Sequence, residues 1–509
     1  MALILTIFCC PAGASNVENS LVIGIQSRKT LTVRPLIPVE RDVVSIYDLV
    51  YESLIYIDDN YVPQGLLAQS WDVSNNGKIW TFYLRPAVTF SDGTPLTARD
   101  VAASAQYILD RANDESSSDP GFYSNLKYFI SSISAVNDTT VEIRSQKRPN
   151  YGLLFALTFP VVPADLVNQD NPPGTGPYRI NTFAAGDYCW LQANPNWWKA
   201  QPQVQEIMFS FHDTQKAVME SYEYARVDAV FSRSIAAAQY RSGTSSLTLS
   251  FRTNQLECLL MNNSASELTP EVRQAIRHVV DTSKIISNVY SGMATACDLP
   301  FYPGTWAYND SLSSYFTLNQ SEARKLLESA GWGDADEDGV LDKLNSEGKM
   351  VRLHLRFFVY EEPENDVRVE AANQIAEMLA AVGIDCTPET MTMSNLKERL
   401  TAGSYDLALV SFAMDSVPDP GFMLMRGNTG NYTRYRNEKI TEMFEDLRKQ
   451  TTQSGYQQVL WQIQAQFAED CPFLCLYWRM GKVLTRYMYT TVRDVRELEL
   501  LRGIESFHP

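Results

Sequence analysis

The chain has 509 residues, enough for two or more domains of ordinary size. Apolar residues make up 45% and charged residues 20%, a globular balance that excludes disorder over any long span. A formal charge of -17 and the absence of a Lys/Arg-rich run argue against a phosphate-backbone partner, so no nucleic acid is expected.

The first element is a short apolar run, Ala2 to Cys10, followed by Ala12-Gly13-Ala14, an A-x-A cleavage pattern. Residues 1–14 therefore read as a secretion signal, although no basic residue precedes Arg28. Cys9 and Cys10 are the positions a lipid anchor would use, but Phe8 stands before Cys9 where a small residue is expected. No later run approaches the roughly 18 apolar residues a bilayer span requires. An exported protein, free or tethered, is expected. Six cysteines remain beyond the leader: Cys189, Cys258, Cys297, Cys386, Cys471 and Cys475. Their scatter through so large a chain suits buried thiols better than a disulfide scaffold. His212, His278, His354 and His508 lie far apart, so neither a metal site nor a cofactor is expected.

"LVIGI", Leu21 to Ile25, is the first strand. Further on, Trp80, Phe82 and Leu84 alternate with Ile79, Thr81 and Tyr83, the period of a half-buried strand, with Asn76-Gly77 as its hairpin turn. Asp92-Gly93 repeats the turn, and Thr97 with Asp100 forms a capping-box variant that opens a helix over about 98–109. Pro172-Pro173-Gly174 marks a boundary between lobes. Thr269-Pro270-Glu271 starts a helix, Thr282 a second, and Asn319 with Glu322 a third that stops at Gly331. Val351–Val359 alternates as a strand, and Val367, Ala371, Ile375, Leu379 and Val382 have helical spacing closed by Gly383. "IDCTPETM" is a strand, Ser394 caps a short helix ending at Gly403, and Tyr405–Phe412 is a buried strand. The order is βαβαβ, a parallel sheet whose ligands lie beyond the carboxyl ends of its strands. Tyr456, Val459, Leu460, Ile463 and Phe467 then make an amphipathic helix, followed by the strand "PFLCLYWR".

Seven blocks occur in the order found in one family: "YESLIYIDDNYVPQGLLAQSW", "GKIWTFYLRPAVTFSDGTPLTARDV", "GTGPYRI", "NPNWW", "RQAIRHVVD", "ARKLLESAGW" and "YDLALVSFAMDSVPDP". From about Leu21 to Tyr489 the chain resembles the family 5 extracellular solute-binding proteins, the oligopeptide, dipeptide and nickel receptors of ABC importers. The resemblance implies an α/β fold: a two-lobed periplasmic-binding-protein-like clamp of type II, cluster C, with an additional α+β domain in the first lobe. It places residues 20–45, 172–255 and 482–509 in the first lobe, 46–171 in the extra domain and 256–481 in the second lobe. The implied function is reception of peptides, oligopeptide before dipeptide, for a membrane permease, by a monomer. A nickel or metal-chelate receptor of the same family is the alternative.

Asp415 follows the last strand of the βαβαβ unit by three residues, where a parallel sheet holds its ligand. In peptide-binding relatives an aspartate at this point of the motif pairs with the ligand's α-ammonium group, and a carboxylate suits that role in a water-poor cleft. The alternative is an aspartate that only caps a turn; Asp419, before Pro420, is the better turn residue. The resemblance also implies that Phe412 and the backbone of Ser411 and Ala413 line the cleft, with Gln26 and Ser27 on the other wall. A core aromatic and an exposed loop are the competing readings. Some dipeptide-binding relatives carry an arginine where this chain reads Tyr360-Glu361-Glu362, which favours a longer peptide or a cationic ligand. Asp334, Asp336 and Asp338 with Gly339 resemble the start of a calcium loop, but Asn345 stands where a bidentate Glu is needed. No G-x-S-x-G, H-E-x-x-H or S-x-x-K box falls in a fitting context, so no enzyme is expected.

Overall fold

The computed structural model describes residues 20–27, 32–38, 40–114, 116, 121–146, 150–244, 246–362, 365–486, 495–497 and 499–504; the expected leader lies outside them. Among these residues the principal sheet has 11 strands and runs without interruption through both halves of the molecule. From one edge its path is Pro388–Met391, Phe357–Tyr360, Leu407–Ala413, Leu247–Met261, Phe473–Thr485, Ala229–Ser232, Ser20–Gln26, Glu206–His212, Tyr188–Ala193 and Tyr178–Ala184, with Ala294–Ala296 beside Phe473–Thr485.

The two central strands hold the halves together. Leu247–Met261 and Phe473–Thr485 pair antiparallel from Leu247 opposite Thr485 to Leu260 opposite Phe473, far longer than an ordinary strand. One end of the pair joins Ala229–Ser232, and the other joins Leu407–Ala413. Between these ends the register shifts twice, from Arg252 to Leu256 and from Glu257 to Cys258. Such irregularities leave backbone unpaired and bend the ribbon. The expected lobe boundaries at 255/256 and 481/482 fall within these strands, whereas the boundary at 45/46 falls inside the helix Arg41–Val50.

The second half is the βαβαβ unit. Phe357–Tyr360 pairs parallel with both Pro388–Met391 and Leu407–Ala413. The helix Val367–Ala380 buries Ala371, Ala372, Ile375 and Leu379 toward these strands in a separate apolar core. Three details differ from the sequence reading. Val351–Val359 is two strands, since Met350–Arg352 leaves the sheet to pair with Asp342–Leu344. The caps expected at Ser394 and Thr282 are supplied by Thr392, whose hydroxyl oxygen accepts the Asn395 N–H at 3.3 Å, and by Asp281, which accepts that of Lys284 at 2.9 Å. In each case a neighbouring oxygen outside the helix reaches the free N–H groups of the first turn.

The extra domain is a four-stranded antiparallel sheet in the order Ala68–Val73, Ile79–Leu84, Thr140–Ser145, Ile130–Asn137, packed by the helix Ala98–Ala112. Trp80, Phe82 and Leu84 point inward as their alternation requires. The Asp100 carboxylate accepts the Thr97 N–H at 2.8 Å and the Ala164 N–H at 2.8 Å, so the cap also fixes the next loop. Two of the sequence blocks meet where this domain joins the sheet. The buried Glu52 carboxylate accepts the indole N–H groups of Trp197 at 3.3 Å and Trp198 at 2.7 Å. Gly174 and Gly176 press against the end of the helix Arg41–Val50; a Cβ on Gly174 would lie 1.9 Å from the Val50 carbonyl oxygen. All six cysteines beyond the leader are buried and unpaired.

A buried ion network sits beside the register shifts. Glu257, on the first central strand, meets Arg368 at 2.7 Å and Arg479, on the second, at 2.8 Å; Glu362 closes the ring at 2.6 Å to Arg368 and 2.9 Å to Arg479. Burial alone would raise the Glu257 carboxyl, but Arg368 and Arg479 hold it below its usual range. Glu362 thus has a use within the protein, at the point where an arginine was sought.

Candidate ligand cleft

A cavity of about 420 Å³ opens between the halves. The helix Arg41–Val50, Phe122, Tyr123 and Asn125 of the extra domain, and Arg496, Glu497 and Glu499 form one side; residues between 300 and 307 and residues 413–420 form the other, with 252–254 between them. Its volume suits a small organic ligand or several peptide residues.

Aromatic rings make much of the wall. Tyr61 and Tyr302 stack at 6.2 Å across the cleft, with the Arg252 guanidinium 4.5 Å from the Tyr302 ring and that of Arg496 4.7 Å from the Tyr61 ring. Two indoles are pinned by their N–H groups: Trp306 donates to the Tyr61 carbonyl at 2.7 Å and Trp478 to the Phe301 carbonyl at 3.2 Å.

Asp415 lines this cavity, just beyond the carboxyl end of Leu407–Ala413. One carboxylate oxygen accepts the Val417 N–H at 3.3 Å and the Ser416 hydroxyl at 3.1 Å, which is turn capping. The other reaches across the cleft to accept the side-chain N–H of Asn125 at 2.6 Å. Asp419 faces the cavity too but is occupied, accepting the Gly421 N–H at 2.9 Å and pairing with Arg448 at 3.0 Å. Ala413 lines the cavity, whereas Ser411 and Phe412 do not. Phe412 packs on Phe422 and Tyr432, and Ser411 lies opposite Glu257 in the sheet. Gln26 and Ser27 are also outside the cavity lining: Gln26 donates to the Asp213 carbonyl at 3.0 Å, and the Ser27 hydroxyl donates to Glu40 at 2.6 Å. The predicted residues therefore divide, Asp415 and Ala413 at the cleft and the other four beside it.

Asp48 was not singled out by the sequence. It faces the cavity from the helix Arg41–Val50, on the stripe Arg41, Val44, Asp48. Its side chain is exposed, lining the cavity, and it accepts no hydrogen bond among the described residues. Burial, and then the charge of Glu499, push its carboxyl well above the usual range, against the opposing charges of Arg496 and Arg502. The available signal was an acid set among Ile46, Tyr47 and Leu49, all of which are buried.

The carboxylates of Asp334, Asp336 and Asp338 lie within 4.8 Å of one another on the surface. They are engaged inside their own loop: Asp334 accepts the N–H of Asp338 at 3.1 Å and of Gly339 at 3.0 Å, and Asp338 pairs with Arg352. Asn345 turns away, accepting the N–H of Glu347 at 3.0 Å and of Lys349 at 2.9 Å.

A sheet hinged on two shared strands, with a walled cavity between its halves, defines the class of two-lobed ligand-binding clamps. The chain belongs to the bacterial extracellular solute-binding proteins, family 5, whose middle-region model matches residues 62–434. It is 24% identical over 531 residues to the oligopeptide-binding protein AppA of Bacillus subtilis, covering 96% of this chain and 92% of the relative. AppA solved in complex with a nonapeptide superposes with a TM-score of 0.67 at 20% identity over 96% of this chain and 98% of that one. The ABC transporter substrate-binding protein CtaP of Listeria monocytogenes superposes with a TM-score of 0.80 at 19% identity, covering 96% and 99% of the two chains. The nickel-binding periplasmic protein of Escherichia coli is 26% identical over 330 residues, 61% of this chain and 60% of the relative. No helix among the described residues is long and apolar enough to cross a membrane.

Proposed function

We propose that this substrate-binding receptor takes peptides, oligopeptides before dipeptides, and delivers them to the membrane subunits of an ABC importer when its lobes close. The observation that carries the reading is Asp415, whose carboxylate lines the cleft at the carboxyl end of a parallel strand and, among the described residues, reaches across the gap to the neutral Asn125 alone. An α-ammonium group offers that carboxylate a charge-assisted bond in place of an amide. The relative AppA, named for oligopeptides and solved with a nonapeptide, supports a peptide over a single amino acid. Strand Leu407–Ala413 ends at the cleft, so Ala413 is assigned the backbone side of the ligand, with Ser411 and Phe412 supporting it from behind.

We assign residues 20–45, 172–255 and 482–509 to the first lobe, 46–171 to a brace on it and 256–481 to the second lobe. The protein acts as an exported monomer without catalysis, free or lipid-tethered. A nickel-chelate ligand is the second reading, favoured by the nickel-binding relative and by the arginines on the aromatic wall. Against bare metal, no histidine or cysteine lines the cavity among the described residues.

Calorimetry with free and N-acetylated pentapeptides tests the assignment, with nickel chloride and nickel–histidine as controls. The free amine is expected to bind roughly 10- to 100-fold tighter, the worth of a charged hydrogen bond, and Asp415→Ala to erase that margin. Equal binding of the acetylated peptide to the native protein would remove Asp415 from the ammonium role.

A further inference from the structure

Besides Asp415 the cleft presents a carboxylate, Asp48, that accepts no hydrogen bond among the described residues. Asp48 enters from the helix Arg41–Val50, on the wall opposite Asp415. Glu499, the acid whose charge bears on it, is already held by Arg496 at 2.9 Å and by Arg502 at 3.1 Å. Those two arginines spend further contacts elsewhere, Arg496 on the carbonyls of Ile57 and Asp58 and on the Tyr61 ring, Arg502 on Asp59 at 3.1 Å. Tyr123 lies within electrostatic reach of Asp48, and its phenol does not donate to it. A carboxylate that lines the cavity without a hydrogen-bond donor of its own is free to form a charge-assisted bond with a cation brought in by the ligand.

The two carboxylates are tied to one short segment. Tyr123 lines the cavity within electrostatic reach of Asp48, and Asn125 is bonded to Asp415. Asp48 and Asp415 line one cavity of about 420 Å³, so one peptide bound in it can meet both acids.

We propose that Asp48 is a second cation subsite of the cleft, taking the basic side chain of a Lys or Arg close to the free amino terminus of the bound peptide. The inference rests on the peptide reading above and adds a side-chain preference to it. Phe122 and Tyr123 offer apolar surface to the stem of such a side chain, and Asp48 receives its charged end. An aspartate or glutamate at the same ligand position meets Asp48 and Glu499 and is rejected.

The test is calorimetry on the full chain with pentapeptides that differ only at the second or third position: Lys, ε-acetyl-lysine, Ala or Glu. Lys is expected to bind roughly 10- to 100-fold tighter than Ala, the worth of a charged hydrogen bond, and Glu more weakly than Ala. Acetyl-lysine keeps the stem and loses the charge, and it is expected to fall back to the Ala value. In Asp48→Asn the Lys-to-Ala ratio is expected to drop to about one. The acetyl-lysine comparison uses native protein, so it decides the matter even if the variant does not fold. If Ala peptides bind but Lys gives no advantage at either position, or if the advantage survives Asp48→Asn, the subsite is refuted while the peptide reading stands. If no free-amine peptide binds native protein, both fall.

Discussion

At the scale of single residues, the cleft and the hinge use carboxylates in opposite ways. Glu257 is buried with two arginines and held below its usual pKa, so its contribution to stability is present above the unfolded value and lost as pH falls through the folded one. Glu257→Gln leaves Arg368 and Arg479 short of their partner and is expected to cost about 3 to 5 kcal/mol in denaturant unfolding at neutral pH. That deficit should narrow in acid. Asp48 is raised instead, so the empty protein is most favoured with it protonated, and that share is lost as pH rises through its folded value. Burial sets this first, then the charge of Glu499, against the opposing charges of Arg496 and Arg502 from the C-terminal segment. In thermal melts of ligand-free protein, Asp48→Asn is expected to unfold at a higher temperature than native protein at pH 8 and to lose that advantage at pH 4. A site that is destabilising when empty is what ligand binding would relieve.

At the scale of elements, local chemistry was legible where it is self-contained. The Asp100 cap, the turn at Gly77 with φ 65°, the stop at Gly403 with φ 71° and the βαβαβ order all follow from residues close in the chain. The split of Val351–Val359 was not legible, because the same alternation serves either sheet and only the partner Asp342–Leu344 decides. Asp415 could be placed because it follows its own strand, whereas Asp48 could not, because what makes it unusual is the wall facing it. The crossing of the central strands depends on an equally non-local fit. Gly481 lies opposite Phe251, and a Cβ there would stand 2.0 Å from the Phe251 Cζ. Gly481→Ala is therefore expected to lower stability by about 1 to 3 kcal/mol through overpacking, measured by urea unfolding, with Phe251→Leu in the same chain recovering part of it.

At the scale of the whole molecule, the halves share one sheet, so closing is a bend of two strands and not a docking of separate bodies. The register shifts at 252–258 give such a bend a place, and the Glu257 ring lies beside them. X-ray scattering is expected to show a smaller radius of gyration with saturating peptide than without; an unchanged value would mean that the ribbon does not flex. The two indoles fixed on the cavity wall, Trp306 and Trp478, bring a practical consequence. Any guest that displaces solvent from them alters the polarity around their rings, so the native chain should report its own occupancy as a change in ultraviolet emission, with no dye attached. Replacing Trp306 and Trp478 in turn by Phe would show which face of the guest each one sees.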